Sequence, residues 1–430
     1  LLAGVLARFG PEPAIAVHSA ENRLVAIASA LVGLSVHGLT GRRTPGVLAA
    51  WSFAFLPPIW SMAVVTELYA LSACCLSLTL FLLLRGRPAL AGIAYALALG
   101  SYLPNLLVLP AVVWLANRAT VDRRAGVVRF LIPTLLGALV WVMWNLTRAR
   151  IHPPLGTEFA PVGFADLLRF LSASQYTTHP PTDPQFYLHR VAEHAARVAR
   201  NLLGVGLLLA AAGGVTLRRE RLLGPLALWL LLGLAYFTFH PYQDYDLMTH
   251  AAYVVLAIAI GCGVHEVVVR ARLRGPAMGR AAVAIATGLP LLLFAIQVQE
   301  FRARSTSREV TEFARRSLAA FPRGAVVFAR WERFTILLYV QQVHGVRPDV
   351  LLLERQEKSR RYAGFAVDGW RRFAAEAMRD RPVIVDGIAT PELREPADAV
   401  ELEPLREGAP SGEPKGTFDR VEWMRVSRIR

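Results

Sequence analysis

The chain has 430 residues, 54% of them hydrophobic and 18% charged, with a mean hydropathy of +0.39 and a formal charge of +15. A soluble protein of this size is about a quarter charged, so a wholly soluble multidomain protein is excluded and an integral membrane protein is expected. The charge is not that of a nucleic-acid binder. Residues 1–298 hold 23 Arg and no Lys against 12 acids, residues 299–430 hold 24 basic against 20 acidic residues, and no basic block is interleaved with aromatics. Cys74, Cys75 and Cys262 all fall in apolar runs and offer neither a disulfide framework nor a CxxC metal site.

In chain order, apolar runs occur at 21–40, 45–62, 64–85, 88–101, 103–118, 127–147, 201–217, 222–239, 248–269 and 281–298. A transmembrane helix needs about 20 apolar residues, and the runs predict an α-helical polytopic membrane protein of about ten spans. The pair at 88–101 and 103–118, interrupted by Pro104 and Pro110, reads as a tight hairpin that barely spans. From 299 the pattern changes. Short β-rich runs at Ala325–Phe328, Asp349–Leu353 and Val383–Val385 alternate with helical patterns at 308–320, 333–343 and 368–379, which predicts a small C-terminal α/β domain. Residues 391–416, rich in Pro, Glu and Gly, read as an irregular loop, and Phe418–Val426 as an edge strand. The expected domains are therefore a multi-span part, 1–298, and an extracytoplasmic α/β part, 299–430.

Fifteen arginines, from Arg42/Arg43 to Arg280, fall in alternate connections, while the turns at 63, 102 and 240–248 carry no Arg or Lys. By the positive-inside rule the arginine-bearing loops are cytoplasmic. The long loop 148–200, loop 240–248 and the tail then lie outside, as expected in a bacterial cytoplasmic membrane. The chain opens with Leu1 and ten crossings begin and end outside, so it is expected to continue a longer protein.

An ionisable residue at a membrane span is a functional candidate. Asp122, Glu220 and Glu266 stand beside arginines on the cytoplasmic side and read as ordinary charges; the other nine acids of this part lie outside. Glu67, at the outer start of a span without a basic neighbour, is a catalytic candidate, balanced against a helix N-terminal carboxylate favoured by the macrodipole. His240-Pro-Tyr242-Gln-Asp244-Tyr-Asp246-Leu-Met-Thr-His250 packs acids, histidines and tyrosines between apolar helices. That mixture suits a phosphate head group, an acceptor hydroxyl or a divalent cation, against a polar interface turn with a tyrosine belt. Asp244 and Asp246 join Glu67 as catalytic candidates, and Tyr69, His179, His240 and Tyr242 are substrate-binding candidates. No metal ligand set is assigned, since the spacing specifies no geometry. In loop 148–200, Phe164–Ser174 has the spacing of an amphipathic surface helix. Walker A, HExxH and GxSxG patterns in a suitable context are missing.

Three stretches carry a resemblance. They are Trp51-Ser-Phe-Ala-Phe-Leu-Pro-Pro-Ile-Trp60 with Thr66-Glu67-Leu-Tyr69, Leu168-Arg-Phe-Leu-Ser-Ala-Ser-Gln175-Tyr176, and Phe334-Thr-Ile-Leu-Leu-Tyr339-Val-Gln341 leading to Gly345-Val-Arg347-Pro348-Asp349-Val350. Together they resemble bacterial relatives of the transmembrane protein O-mannosyltransferase, a branch of the GT-C glycosyltransferases (glycosyltransferase family 117). The resemblance implies transfer of a sugar from a polyprenyl-phosphate donor to an acceptor hydroxyl of a protein or glycan on the outer face, with membrane lipids as the remaining partner. It also implies a general-base acid in a first outer loop that would precede Leu1, so that role is not carried over to Glu67. The tail signature of the family has an acid shortly before its Phe, and here only Glu332 is available. The alternatives are a multi-span transporter or flippase, which inverted repeats would favour, and a non-catalytic scaffold. Arg347-Pro-Asp349 reads as a structural turn into a strand.

Overall fold

The structure, a computed structural model, describes residues 13–64, 68–151, 184–238, 248–306, 308–329, 331–354, 374–386, 400–405 and 423–429. These fall into two compact units, residues 1–144 with 171–305 and residues 145–170 with 306–430.

The first unit is helical. In order it holds α1 (Pro13–Thr40), α2 (Arg43–Ala54), α3 (Pro57–Val64), α4 (Tyr69–Leu84) and α5 (Pro88–Ser101). A 3-10 segment, Leu103–Val108, leads into α6 (Leu109–Arg118) and α7 (Arg123–Ile151), which belongs to this unit up to Trp144. Then follow α8 (Pro184–Asn201), α9 (Val205–Arg219), α10 (Leu223–Thr238), α11 (His250–Arg274) and α12 (Pro276–Thr306). The arginine-bearing turns are tight. Gly41 (φ 65°) closes α1 with its N–H on His37 O, and Gly86 (φ 68°) closes α4 on Leu83 O. Both take the left-handed conformation that a side chain resists, and Pro88 then starts α5 where its missing N–H is harmless.

α11 is the axis of the unit. It is apolar and buried from His250 to Val264, while its last turns with Arg270, Arg272 and Arg274 are exposed, and it packs against α1, α2, α4, α9 and α10. Its approach to α9 is as close as backbones allow: a Cβ on Gly213 would meet Ala259 O, and one on Gly263 would meet Leu209 O. Gly33 of α1 and Gly46 of α2 make a similar contact, each hypothetical Cβ within 2.8 Å of the other's carbonyl oxygen. Small residues at such crossings replace the hydrophobic drive that lipid removes.

Where they are described, the apolar runs expected to span are mostly helical, but ten crossings are not found among the described residues. Among the described residues four helices are long and apolar enough, Ala16–Thr40, Arg123–Thr147, His250–Arg274 and Pro276–Ala303, and up to six if each of two bent pairs is one span. The bent pairs are α2 with α3, turned by 68°, and α8 with α9, turned by 91°. α4 has 16 residues and α5 has 14, so at about 1.5 Å per residue neither reaches across a core of about 30 Å. Their apolar residues are explained instead by burial within the unit: Ala70, Ala73, Leu76 and Leu80 of α4 are fully covered. Four spans suffice to make the chain an integral membrane protein.

In the second unit, α13 (Glu309–Ala320), β1 (Val326–Ala329), α14 (Trp331–His344), β2 (Leu351–Glu354), β3 (Val383–Asp386), β4 (Val400–Pro404) and β5 (Trp423–Ile429) build a five-stranded sheet of order β2-β1-β3-β5-β4. β1 pairs parallel with β2 and β3, and β5 runs antiparallel to β3 and β4. The α/β expectation and the positions of β1, β2 and β3 agree with the sheet. Two details differ. The last run is not an edge, because β5 is hydrogen-bonded on both sides, and Trp423 and Val426 are buried. The edge beyond β5 is β4, opposite the edge strand β2, and it is formed from residues expected to be irregular: Val400-Glu-Leu-Glu-Pro404 alternates apolar and charged residues, and its Pro404 suits an edge.

Candidate functional site

Arginines of three turns, Arg42, Arg219 and Arg272, gather around His265 at one end of the first unit. Glu266, 3% exposed, accepts hydrogen bonds from Thr216 Oγ1 (2.8 Å) and Arg219 (3.0 Å) and pairs with Arg270 at 3.4 Å. The arginine neighbours expected for Glu266 are present, but it is buried within α11 and not an ordinary exposed charge. A widely open cleft of about 560 Å³ at this end is lined by Thr44, Arg272, Pro276, Gly279, Arg280 and Val283. Its lining contains no acid or histidine, so it lacks an acid–base pair.

A buried polar cluster lies where α4 and α11 begin and α5 ends. His250 Nε2 is 2.7 Å from Ser72 Oγ, Asn105 Nδ2 donates to the same Oγ at 2.7 Å and to Ala98 O at 2.8 Å, and Tyr95 OH donates to Asn105 O at 2.6 Å. Ser72 and His250 are fully buried and Asn105 is 1% exposed. The Asn105 amide is oriented by Ala98 O, which can only accept, so Nδ2 must face it. Ser72 Oγ, accepting from Asn105, shares a further hydrogen bond with His250 Nε2 whose direction follows the ring's tautomer. Tyr69 and Tyr102 close the cluster, their rings 5.2 Å apart and 5.7 and 5.3 Å from the His250 ring.

Proline 104 and the 3-10 segment position Asn105: Tyr102 is extended (φ −151°), which breaks the helix and swings Asn105 back under α5. Such a group is costly inside an apolar bundle unless paired. Asn105 Oδ1 has no partner, so the cluster presents one unmatched acceptor. A nucleophilic serine is not what this builds, because Ser72 is sealed from solvent and already accepts from Asn105. The arrangement holds rings and amide in place, with Asn105 Oδ1 an enclosed acceptor.

Of the residues expected at a site, only Tyr69 falls in this cluster. Glu67, His179, His240, Tyr242, Asp244 and Asp246 lie outside the described residues, as do the Phe164–Ser174 pattern and the second resemblance stretch. His250, at the end of the acidic segment, belongs to the cluster. Ser72, Tyr102 and Asn105 escaped the sequence reading. The available signal was Asn105 itself, a lone amide after proline inside an apolar run. Among the described residues no three His, Cys, Asp or Glu side chains are grouped as metal ligands.

The tail signature has a structural account. Arg347 (φ 53°) donates to Leu318 O, Phe321 O and Pro322 O at 2.8 to 2.9 Å and clamps Asp349 through Nε and Nη2. Asp349 accepts the Gly324 N–H at 2.9 Å. Gln341 Nε2 donates to Arg347 O and Val350 O, both at 2.8 Å, and Phe334 and Val350 are buried. The expected turn into a strand is therefore a joint tying α13, α14 and β2 together. The hydrogen bonds from Arg347, with the Gly324 amide, hold the Asp349 carboxyl well below its ordinary value.

No protein-family model matches the chain, and no curated protein matches it. Two solved structures are similar, both of the oligosaccharyltransferase of Archaeoglobus fulgidus. The form in complex with Zn and sulfate has a TM-score of 0.48 and the apo form 0.49, each at 11% identity over 90% of this chain. The chain spans only 58% and 60% of those two chains. A likeness at that identity and TM-score assigns neither a family nor a chemistry.

Proposed function

We propose that this chain is a membrane glycosyltransferase of GT-C type that moves a sugar from a polyprenyl-phosphate donor to an acceptor hydroxyl of a protein or glycan on the extracytoplasmic face. The observation that carries the reading is the polar cluster of Tyr69, Ser72, Tyr102, Asn105 and His250. It joins, at one end of an integral membrane unit, the helix starts that follow the two acid-bearing segments of the sequence. Glu67 precedes Tyr69 by two residues and Asp246 precedes His250 by four, so short tethers connect both acids to that cluster.

In this reaction a carboxylate takes the acceptor's hydroxyl proton as the oxygen bonds to the anomeric carbon. The bond from that carbon to the lipid phosphate breaks, and cations or hydrogen-bond donors stabilise the leaving phosphate. Glu67, Asp244 and Asp246 are the acids proposed to shape the pocket. His179 and His240 are placed near the phosphate, Tyr69 and Tyr242 against the sugar, and a divalent cation remains an admissible helper. Glu67→Gln and Asp246→Asn, each in the native gene product, should depress transfer from a radiolabelled polyprenyl-phosphate sugar. Wild-type turnover in both variants removes these acids from the site.

A further inference from the structure

The amphipathic helix α8 is mounted inside out. On one arc it carries Arg190, Glu193, His194, Arg197 and Asn201, and on the opposite arc Leu188, Val191, Ala192, Ala195 and Ala196. Charged residues would face water if water surrounded the unit. Here the polar arc is turned in. His194 is 6% exposed, the Arg190 side chain is 12% exposed, and Asn201 Nδ2 donates to Tyr253 OH at 2.7 Å. Glu193 sits between Arg190 at 3.4 Å and Arg197 at 3.0 Å. The apolar arc is turned out, with Leu188 71% and Val191 54% exposed and all three alanines exposed; the exposed Gln185, His189 and Arg200 stand along one margin of this face. Such an inversion is expected where the surroundings are less polar than the interior, because ionisable residues at membrane depth face the protein and apolar ones face lipid. α8 also turns 91° into α9, whose Val205 and Leu208 are likewise exposed and apolar, at 52% and 73%.

We propose that α8 is a membrane-embedded helix running across the direction of α9, with its Leu188, Val191 and Ala195 face in contact with lipid acyl chains. Continuity with the apolar outer face of α9 selects lipid as the occupant, and the paired charges on the inner arc keep that face from water. This placement stands apart from the proposed transferase activity.

The test is spin-label accessibility in the full chain reconstituted into phosphatidylcholine vesicles. Leu188→Cys, Val191→Cys and Ala195→Cys are labelled singly, with Val121→Cys in an exposed turn as the aqueous reference; Cys74, Cys75 and Cys262 are buried and stay in place. Collision with oxygen should exceed collision with a water-soluble nickel chelate severalfold more at the three α8 positions than at residue 121. Equal ratios at all four positions would overturn the proposal by placing the face in water. Immobile α8 labels shielded from both reagents would overturn it by showing a protein partner, such as a second copy of the chain. Because every labelled position is exposed, loss of folding is not the expected outcome, and the same samples report it through label mobility.

Discussion

Ser72 Oγ and His250 Nε2 meet at 2.7 Å although 178 residues separate them in the chain. Both residues are fully buried, so water cannot replace this hydrogen bond if it is lost. His250→Ala should therefore lower the stability of the first unit by about 1–3 kcal/mol, the usual penalty for stranding a buried polar group. Thermal unfolding in detergent measures it, with His250→Gln expected to recover part of the loss. An unchanged melting temperature in His250→Ala would show that the bond is dispensable.

The crossing of α9 and α11 makes a second prediction. A methyl group at Gly263 would press on Leu209 O, a backbone atom that cannot step aside. Gly263→Ala should destabilise by about 1–3 kcal/mol, as overpacking does. Gly38 lies in α1 with open space where a Cβ would stand. There the same substitution should be neutral or stabilise by up to about 1 kcal/mol, since alanine favours helix. A matched pair of melting curves separates a packing effect from a general intolerance of alanine.

In the sheet unit, Arg333 and Asp386 form an ion pair at 2.9 Å with side chains 8% and 0% exposed. Removing one partner leaves a buried charge, so Asp386→Ala should cost about 3–5 kcal/mol. Replacing both together with apolar residues of similar volume should restore most of that loss. Denaturant titration of the full chain, followed by hydrogen exchange in β1 and β3, reads the difference where it arises.

Asp349 gives a pH prediction. Its carboxyl is held low by Arg347 and the Gly324 amide, so its contribution is present above the unfolded value of about 3.9 and is lost as the pH falls below it towards the depressed folded value. The melting temperature of the sheet unit should drop on acidification through that window in the natural chain and drop less in Asp349→Asn. At neutral pH, Asp349→Asn should melt earlier than the natural chain. Parallel acid profiles of the two would reject the linkage.

The sequence announced helices well and spans poorly, and the reason is physical. Hydropathy reports that a run is apolar, not whether lipid or protein covers it. Tyr69–Leu84 is apolar because α11 and its neighbours bury Ala70, Ala73 and Leu76, whereas Leu135, Leu139 and Val140 of α7 are apolar and exposed. In the tail, the parallel strands were legible as short β-branched and leucine-rich runs, while β4 was hidden because Pro and Glu dominate its flanks. The polar cluster was half legible. Tyr69 and His250 stood next to conspicuous acids, but Ser72 and Asn105 are ordinary residues in apolar runs until the fold brings them together.

The lateness of α11 has a consequence for how the protein is made. Synthesis adds about 5–20 residues per second, so some 9–36 s pass between the emergence of Ser72 and that of His250. Through that interval α1, α2 and α4, joined by α9 only near its end, stand without the helix they pack against, and Ser72 and Asn105 stand without their histidine. Assembly of the first unit is thus gated by its penultimate helix, and a ribosome stalled before residue 250 would leave a chain that quality control can recognise by its exposed polar groups.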